Sequence, residues 1–93
     1  MTNPNATENV IIHHKVKDYN AWRSAYDGHE KSRVSAGITK GRVFRSAEDP
    51  NDVVVVMDAA DVAKVRSWMS SNDLKSAMEK GGVIGTPTIR FAA

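Results

Sequence analysis

Several residue types and patterns are rare or missing in this chain of 93 residues, and each absence excludes a class of function. There is no cysteine, so disulfides, thiolate nucleophiles and cysteine-ligated zinc or iron–sulfur centres are excluded. Proline and glycine number only 3 and 6 residues, and aromatic residues make up 6% of the chain. Because a chain without cysteine suits a reducing compartment, we predict a cytoplasmic protein.

Long apolar runs and a strong charge of one sign are also missing. No stretch approaches the roughly 18 apolar residues that a membrane helix requires. The formal net charge is only +2 and the basic residues are scattered, so we predict neither a membrane nor a nucleic acid as partner. Residues 1–9 are polar and lack the pattern of a signal peptide. We predict that they form a flexible tail before a single domain at residues 10–92.

The hydrophobic pattern predicts four strands and two helical regions. Runs rich in β-branched residues, bounded by turn residues, predict strands at residues 10–16, 38–46, 53–57 and 86–91. The first helix follows a potential N-cap at Asp18 and stops at Gly37, and the second follows Asp61 with an interruption at residues 70–72. The order β-α-β-β-α-β predicts an α+β, ferredoxin-like fold, with both helices on one face of a four-stranded antiparallel sheet.

The third predicted strand, at residues 53–57, reads Val-Val-Val-Val-Met and is apolar on both faces. A strand with one wet face alternates apolar and polar residues, and two helices can cover only one face of the sheet. The other face needs a cover that the chain itself does not supply. We therefore predict a homodimer in which two sheets pack face to face.

Two ionisable residues lie on the apolar side of the first predicted helix. At about 100° per residue, His29 and Arg33 fall on the same side as Trp22 and Tyr26. A structural interpretation pairs Arg33 with a carboxylate and His29 with a backbone carbonyl. A functional interpretation places both in a cleft between helix and sheet, where Arg33 binds an anionic oxygen and His29 acts as a base or a donor.

The other two histidines are adjacent in the first predicted strand and therefore point to opposite faces. His14 has the parity of the more apolar residues, so we predict that His14 faces the helices and His13 faces the partner sheet. No pair of histidines has the spacing of a motif such as His-x-x-x-His, and we predict no metal site.

The local sequence resembles the dimeric α/β-barrel superfamily, and within it the small bacterial domains of the antibiotic biosynthesis monooxygenase type. The resemblance is carried by His-Lys-Val-Lys-Asp-Tyr-Asn-Ala-Trp at residues 14–22, by Tyr26, His29, Arg33 and Gly37, by residues 43–46 and 53–57, and by Gly-Val-Ile-Gly-Thr-Pro at residues 82–87. It implies a dimeric ferredoxin-like barrel. It also implies a small-molecule enzyme, with cofactor-independent oxygenation of an aromatic or polyketide-like substrate among the activities of the superfamily.

The haem-degrading members of this superfamily resemble the chain over residues 68–78. Their tryptophan, which distorts the porphyrin, matches Trp68, whereas their axial histidine is replaced by Met78. A thioether is a weaker ligand than an imidazole for an oxygen-activating haem. The sequence therefore predicts against haem degradation, and we predict no cofactor.

The sequence leaves two functions open: a small-molecule enzyme of the monooxygenase type, or a non-catalytic ligand-binding or assembly domain. The predicted catalytic residues are His29, His14 and Arg33. The predicted ligand-binding residues, which would contact a small apolar or aromatic molecule, are Trp22, Tyr26, Trp68, Arg45, Met57 and Met78.

Overall fold

The structure is a computed structural model that describes residues 8–92. Its elements in chain order are β1 (Glu8–Val16), α1 (Tyr19–Gly28), α2 (Glu30–Ser35), β2 (Ile38–Arg45), β3 (Asp52–Ala59), α3 (Val62–Met69), α4 (Asn72–Lys80) and β4 (Val83–Ala92). The predicted α+β, ferredoxin-like fold is confirmed, with each helical region divided in two. Residues 1–7 of the predicted tail lie outside the described residues, and β1 begins at Glu8 rather than at residue 10.

The four strands form one antiparallel sheet in the order β2-β3-β1-β4. The central pair β1 and β3 aligns Val10 with Met57, and His14 with Val53. Paired residues share a face of the sheet, and this set is buried, so it forms the sheet side of the core. The central strands therefore place His14 among the core side chains.

Three of the four helices, α1, α3 and α4, begin where a side chain accepts a hydrogen bond from a free backbone N–H group, whereas α2 has no such cap. Asp18 accepts from Asn20 N, Asp61 from Lys64 N, and Ser71 from Leu74 N. Capping of this kind satisfies donors that have no partner within the helix. The predicted caps at Asp18 and Asp61 are confirmed, as is the break between α3 and α4.

The first helical region was predicted as one helix, and this prediction is wrong. The chain leaves helical geometry at His29, which has φ −96° and ψ 8°, and α2 then begins at Glu30. The preceding residue, Gly28, has no side chain and lowers helix stability by about 1 kcal/mol relative to alanine. The break places His29 between the two helices, whereas Arg33 is buried on α2.

The helix-free side of the sheet, which we name the open face, is largely apolar at its centre. In β3, residues 53, 55, 57 and 59 are buried by the helices, whereas residues 52, 54, 56 and 58 alternate with them on the open face and are only partly covered. Val54 and Val56 lie there beside Ile11 and Phe44, and Phe44 is 53% exposed. The described chain supplies no second layer on this side.

Core packing at the helix–sheet interface can be tested with two valines on helices. Val65 on α3 is 0% exposed, whereas Val34 on α2 is 55% exposed. We expect Val65→Ala to lower the free energy of unfolding by about 2 kcal/mol, because it removes buried methyl groups and leaves a cavity. Val34→Ala should change it by less than about 0.5 kcal/mol. Urea unfolding at one fixed protein concentration measures both, and equal effects would contradict the core described above.

Candidate functional site

A small cavity lies between the buried face of the sheet and the helices. It encloses about 50 Å³ of free space, enough for a few water molecules. Aliphatic, thioether and aromatic side chains dominate its lining, and the polar groups are few. The lining residues are Ile12, His14, Trp22, Ala25, Tyr26, His29, Arg33, Val55, Met57, Trp68, Leu74, Ala77 and Met78. A mostly apolar cavity with few convergent polar groups is typical of a small-molecule site.

His14 is the most unusual group in this cavity. Strand β1 directs it towards the helices, where it is only 7% exposed, in agreement with the predicted alternation. Its ring makes an edge-to-face contact with Trp22 at 5.4 Å between centroids, and both ring nitrogens are buried with no hydrogen-bond partner among residues 8–92. Burial lowers the pKa of His14, and the nearby His13 lowers it further, while Asp52 acts in the opposite direction. The imidazole is therefore neutral at pH 7, with one free donor and one free acceptor.

His13 points to the open face, where it bonds to the carboxylate of Asp52. The two adjacent histidines therefore have opposite surroundings. His13 is exposed and has a polar partner, whereas His14 is enclosed and has none. Buried polar groups in proteins are almost always hydrogen-bonded. The unpaired ring nitrogens of His14 therefore indicate a hydrogen-bond partner from outside the described chain, such as a ligand or water.

An aromatic stack on α1 forms one side of the cavity. Trp22 and Tyr26 lie one turn apart, and their rings stack at 5.1 Å between centroids. Trp22 is 5% exposed and packs between Tyr26 and His14. Both rings line the cavity, and Trp22 does so in contact with His14.

Arg33 carries the only buried cationic side chain among residues 8–92. It is 8% exposed, its guanidinium lies 3.7 Å from the centroid of the Tyr26 ring, and Nη1 donates to the Tyr26 carbonyl. Within the described chain no carboxylate oxygen lies within 4.0 Å of its nitrogens. Burial lowers the pKa of Arg33, although a guanidinium remains protonated at neutral pH. The carboxylate partner of the structural interpretation is therefore not there.

His29 stands at the rim of the cavity in a network that links three helices. Its Nε2 lies 2.9 Å from Asp73 Oδ2, and its ring stacks on Trp68 at 5.8 Å between centroids. The hydroxyl of Ser32 donates to the same oxygen of Asp73 and accepts from Trp68 Nε1 at 2.9 Å. Hydrogen bonds from Ser32 and His29 lower the pKa of Asp73. The partner of His29 is thus a carboxylate and not the backbone carbonyl of the structural interpretation.

The sequence analysis missed Asp73, Ser32 and the role of Gly41. Asp73 and His29 are 44 residues apart, and no local pattern connects them. Gly41 lies in an irregularity of β2 between Thr39 and Arg42, and a Cβ at this position would overlap the hydroxyl of Tyr26. An isolated glycine within a strand pattern is a signal of such a close approach.

The structure brings eight of the nine predicted site residues to the cavity. The exception is Arg45, at the end of β2. Its guanidinium lies 3.7 Å from the centroid of the Tyr19 ring, and its Nε donates to the Pro50 carbonyl at 2.9 Å. Arg45 therefore belongs to a separate contact that closes the turn between β2 and β3, and it is not part of the cavity lining.

Residues 8–92 contain no group of three or more His, Asp or Glu side chains arranged to hold a metal ion. No helix in this part of the chain is both long and apolar enough to cross a bilayer.

The chain is similar to known proteins in structure and not in sequence. No protein-family model matches the chain, and no curated protein matches it by sequence. A Bordetella bronchiseptica protein that carries the name antibiotic biosynthesis monooxygenase superposes with a TM-score of 0.79, at 15% identity over 94% of this chain and 95% of its own. A Nitrosomonas europaea protein of the same name superposes with a TM-score of 0.73, at 11% identity over 100% and 94% of the two chains.

A third similar structure is SnoaB, a cofactor-independent oxygenase from Streptomyces nogalater, solved as the mutant N63A. Its TM-score is 0.71, at 10% identity over 94% of this chain and 91% of that one. The chain has the antibiotic biosynthesis monooxygenase fold. The fold implied by the sequence resemblance is thereby confirmed, and identities of 10–15% extend the likeness no further than the fold.

Haem is the cofactor that some proteins of this fold use, and the cavity does not fit it. Met78 lines the cavity where the resemblance places an axial histidine, and it presents a thioether beside Trp68. The free volume of about 50 Å³ is also far smaller than a porphyrin. No step proposed below involves a haem.

The burial of His14 predicts a dependence of stability on pH. The unfolded imidazole titrates near 6.5, and the folded one titrates lower. Below about pH 6.5 the unfolded chain therefore binds more protons than the folded chain, so the free energy of unfolding should fall as the pH falls through this range. We expect His14→Phe, which keeps an aromatic ring and cannot titrate, to weaken this dependence. Urea unfolding at several pH values between 5 and 8 measures it, and an unchanged pH dependence in the variant would contradict the assignment.

Proposed function

We propose that the protein is a small-molecule enzyme that oxygenates an enolisable or phenolic aromatic substrate without a cofactor. The observation that carries the proposal is the neutral, unpartnered imidazole of His14 in an apolar cavity. Such a group can hydrogen-bond to a hydroxyl of the substrate and then accept its proton. The stacked rings of Trp22 and Tyr26 would bind the flat body of the same molecule.

The proposed reaction uses the electrons of the substrate itself. His14 removes a proton from the enol or phenol, and the resulting anion donates electrons to O₂. A carbon–oxygen bond then forms at the anionic carbon, which is the former CH₂ of an enolised ketone or a ring CH of a phenol, and the proton held by His14 is returned to give a hydroperoxide. The hydroperoxide loses water as its O–O and C–H bonds break, which leaves C=O at that carbon and the imidazole neutral. In this scheme the fixed positive charge of Arg33 stabilises the anion.

His29 is the alternative base. It also lines the cavity, and Asp73 holds its Nε2, which leaves Nδ1 as the other ring nitrogen. A carboxylate that orients a histidine in this way fixes its tautomer. His14 is favoured because it is enclosed and lacks a partner, whereas His29 already has one.

A non-catalytic ligand-binding or assembly domain is the second candidate. It is supported by the small free volume of the cavity, about 50 Å³, which many ligands would not enter without side-chain movement. In that case His14 and Arg33 would select a ligand without transforming it.

The adjacent histidines provide a matched test of the reaction. With 2-tetralone, a two-ring ketone whose enol conjugates with the arene, we expect the protein to accelerate O₂ consumption and to place one oxygen atom from ¹⁸O₂ in the product. His14→Gln should lower kcat by about 100-fold or more, because it removes the general base. His13→Gln, on the opposite face of the same strand, should change kcat by less than about three-fold, because His13 acts on His14 only through its nearby charge.

Equal rates for the two variants would contradict the role of His14. Binding of 2-tetralone without any O₂ consumption above the protein-free rate would favour the non-catalytic candidate.

We also propose a cytoplasmic homodimer that forms through the open face. The support comes from Ile11, Val54, Val56 and Phe44, which present an apolar surface on the side without helices. Packing of two such sheets would remove this surface from water.

The dimer can be tested with one added charge at either of two valines. Val56→Asp places a carboxylate in the centre of the open face, and we expect it to convert the protein to a monomer at about 20 µM, because a buried unpaired charge costs several kcal/mol. Val34→Asp, on the exposed surface of α2, should leave the mass unchanged. Light scattering after size-exclusion chromatography gives the mass, and a monomeric wild-type protein would contradict the proposal.

A further inference from the structure

The inner cavity shares two residues with a polar depression on the protein surface, which we name the outer groove. The outer groove lies between α1, α2 and the start of β2, beside Arg23, Glu30 and Lys40, and its volume is about 280 Å³. Tyr26 and Arg33 line both spaces. These two side chains therefore form the partition between an apolar interior and a polar exterior.

The guanidinium of Arg33, in this partition, uses few of its hydrogen-bond donors within residues 8–92. A guanidinium has five N–H donors, and within residues 8–92 the side chain of Arg33 makes one hydrogen bond, from Nη1 to the Tyr26 carbonyl, which leaves four. Its charge otherwise interacts with the face of the Tyr26 ring and, at longer range, with the carboxylates of Glu30 and Asp27. A buried guanidinium normally pairs with a carboxylate or a phosphate, so this arrangement is incomplete.

The other charges of the outer groove do not complete it. Arg23 is paired with Asp27 at 3.1 Å, and the Nζ of Lys40 lies 3.9 Å from Asp58. Glu30 lines the groove, but its carboxylate is not within 4.0 Å of the Arg33 nitrogens. The groove thus has three cationic side chains and two carboxylates, with Arg33 as the cation closest to the cavity.

We infer that the ligand of the inner cavity is an aryl acid, with one aromatic ring inside the cavity and a carboxylate at Arg33. This inference rests on the proposed function, because it concerns the same cavity, and it adds the anionic group of the substrate. The ring would stack beside Trp22 with a hydroxyl towards His14, and a short arm would carry the carboxylate past Tyr26.

The β2 irregularity gives Tyr26 the space that this arrangement needs. The hydroxyl of Tyr26 occupies the position that a side chain at residue 41 would take, and neighbouring Lys40 has φ 53°. Because Gly41 has no Cβ, the phenol reaches the backbone of β2 and keeps its ring under Arg33. Gly41 and Tyr26 together therefore set where the cationic end of the cavity lies.

The inference can be tested with two probes of the same size, 4-hydroxyphenylacetate and 4-hydroxyphenylacetamide, in which a charged carboxylate is replaced by a neutral amide. Both Trp22 and Trp68 line the cavity, so binding can be followed by tryptophan fluorescence and confirmed by calorimetry. In the wild-type protein we expect the acid to bind about ten-fold more tightly than the amide, or better, because a charge-assisted pair with Arg33 forms only with the acid. The preference should weaken as salt is added.

Two arginines that stack on tyrosines give a matched pair of variants. Arg33→Met should reduce the ratio of acid to amide affinity to about one. Arg45→Met removes a guanidinium held at the same 3.7 Å from a tyrosine ring, but outside the cavity, and should retain the preference. Arg33→Lys, which keeps the charge in the same place, should retain part of it and serves if the methionine variant does not fold.

Each other outcome has a distinct meaning. Equal affinity for the two probes in the wild-type protein would overturn the aryl-acid inference and leave the oxygenase proposal intact, since 2-tetralone has no acid group. A preference that persists in Arg33→Met would overturn the assignment to Arg33. Failure of both probes and of 2-tetralone to bind would overturn the cavity as a ligand site, and the proposed function with it.

Discussion

The contact of His14 with Trp22 across the helix–sheet interface determines most of the site. His14 stands on a central strand, where it pairs with Val53 of β3 and lies at an irregularity in the pairing with β4, and α1 closes over it with Trp22. This packing removes the imidazole from water, keeps it neutral and leaves its nitrogens free. A polar group enclosed in this way costs stability unless a ligand or water completes it. At this core position a leucine would give a higher free energy of unfolding than the histidine does.

The polar groups around the cavity separate into two sets. At the rim, His29, Asp73, Ser32 and Trp68 satisfy one another and fix α2 against α3 and α4. Deeper in the interface, His14 has no protein partner, and Arg33 has an aromatic ring and one carbonyl. The satisfied set holds the helices in place, and the unsatisfied set faces the space between them. This division is what a preorganised binding site requires.

The fold and most of the cavity lining could be predicted because they follow from local periodicity. Strand alternation assigns His14 to the helix side, and helical spacing brings Trp22 and Tyr26 to one face. Arg45 lies on the predicted side of the sheet, opposite Val53, but at the end of its strand. Alternation predicts which face a residue is on and not how far along the strand the cavity lies. The contact of His29 with Asp73 depends on how α2 and α4 meet, which only tertiary packing determines. The break at His29 could not be predicted from periodicity, because the apolar stripe of the helical region continues across it.

The central claim is that open apolar space lies beside His14 and Trp22. A crystal pressurised with xenon tests it most directly, because xenon enters apolar cavities without needing polar contacts. We expect xenon density within van der Waals distance of Trp22, Met57 and the His14 ring. A cavity filled by rearranged side chains, with no xenon and with a protein partner on a His14 nitrogen, would contradict the account.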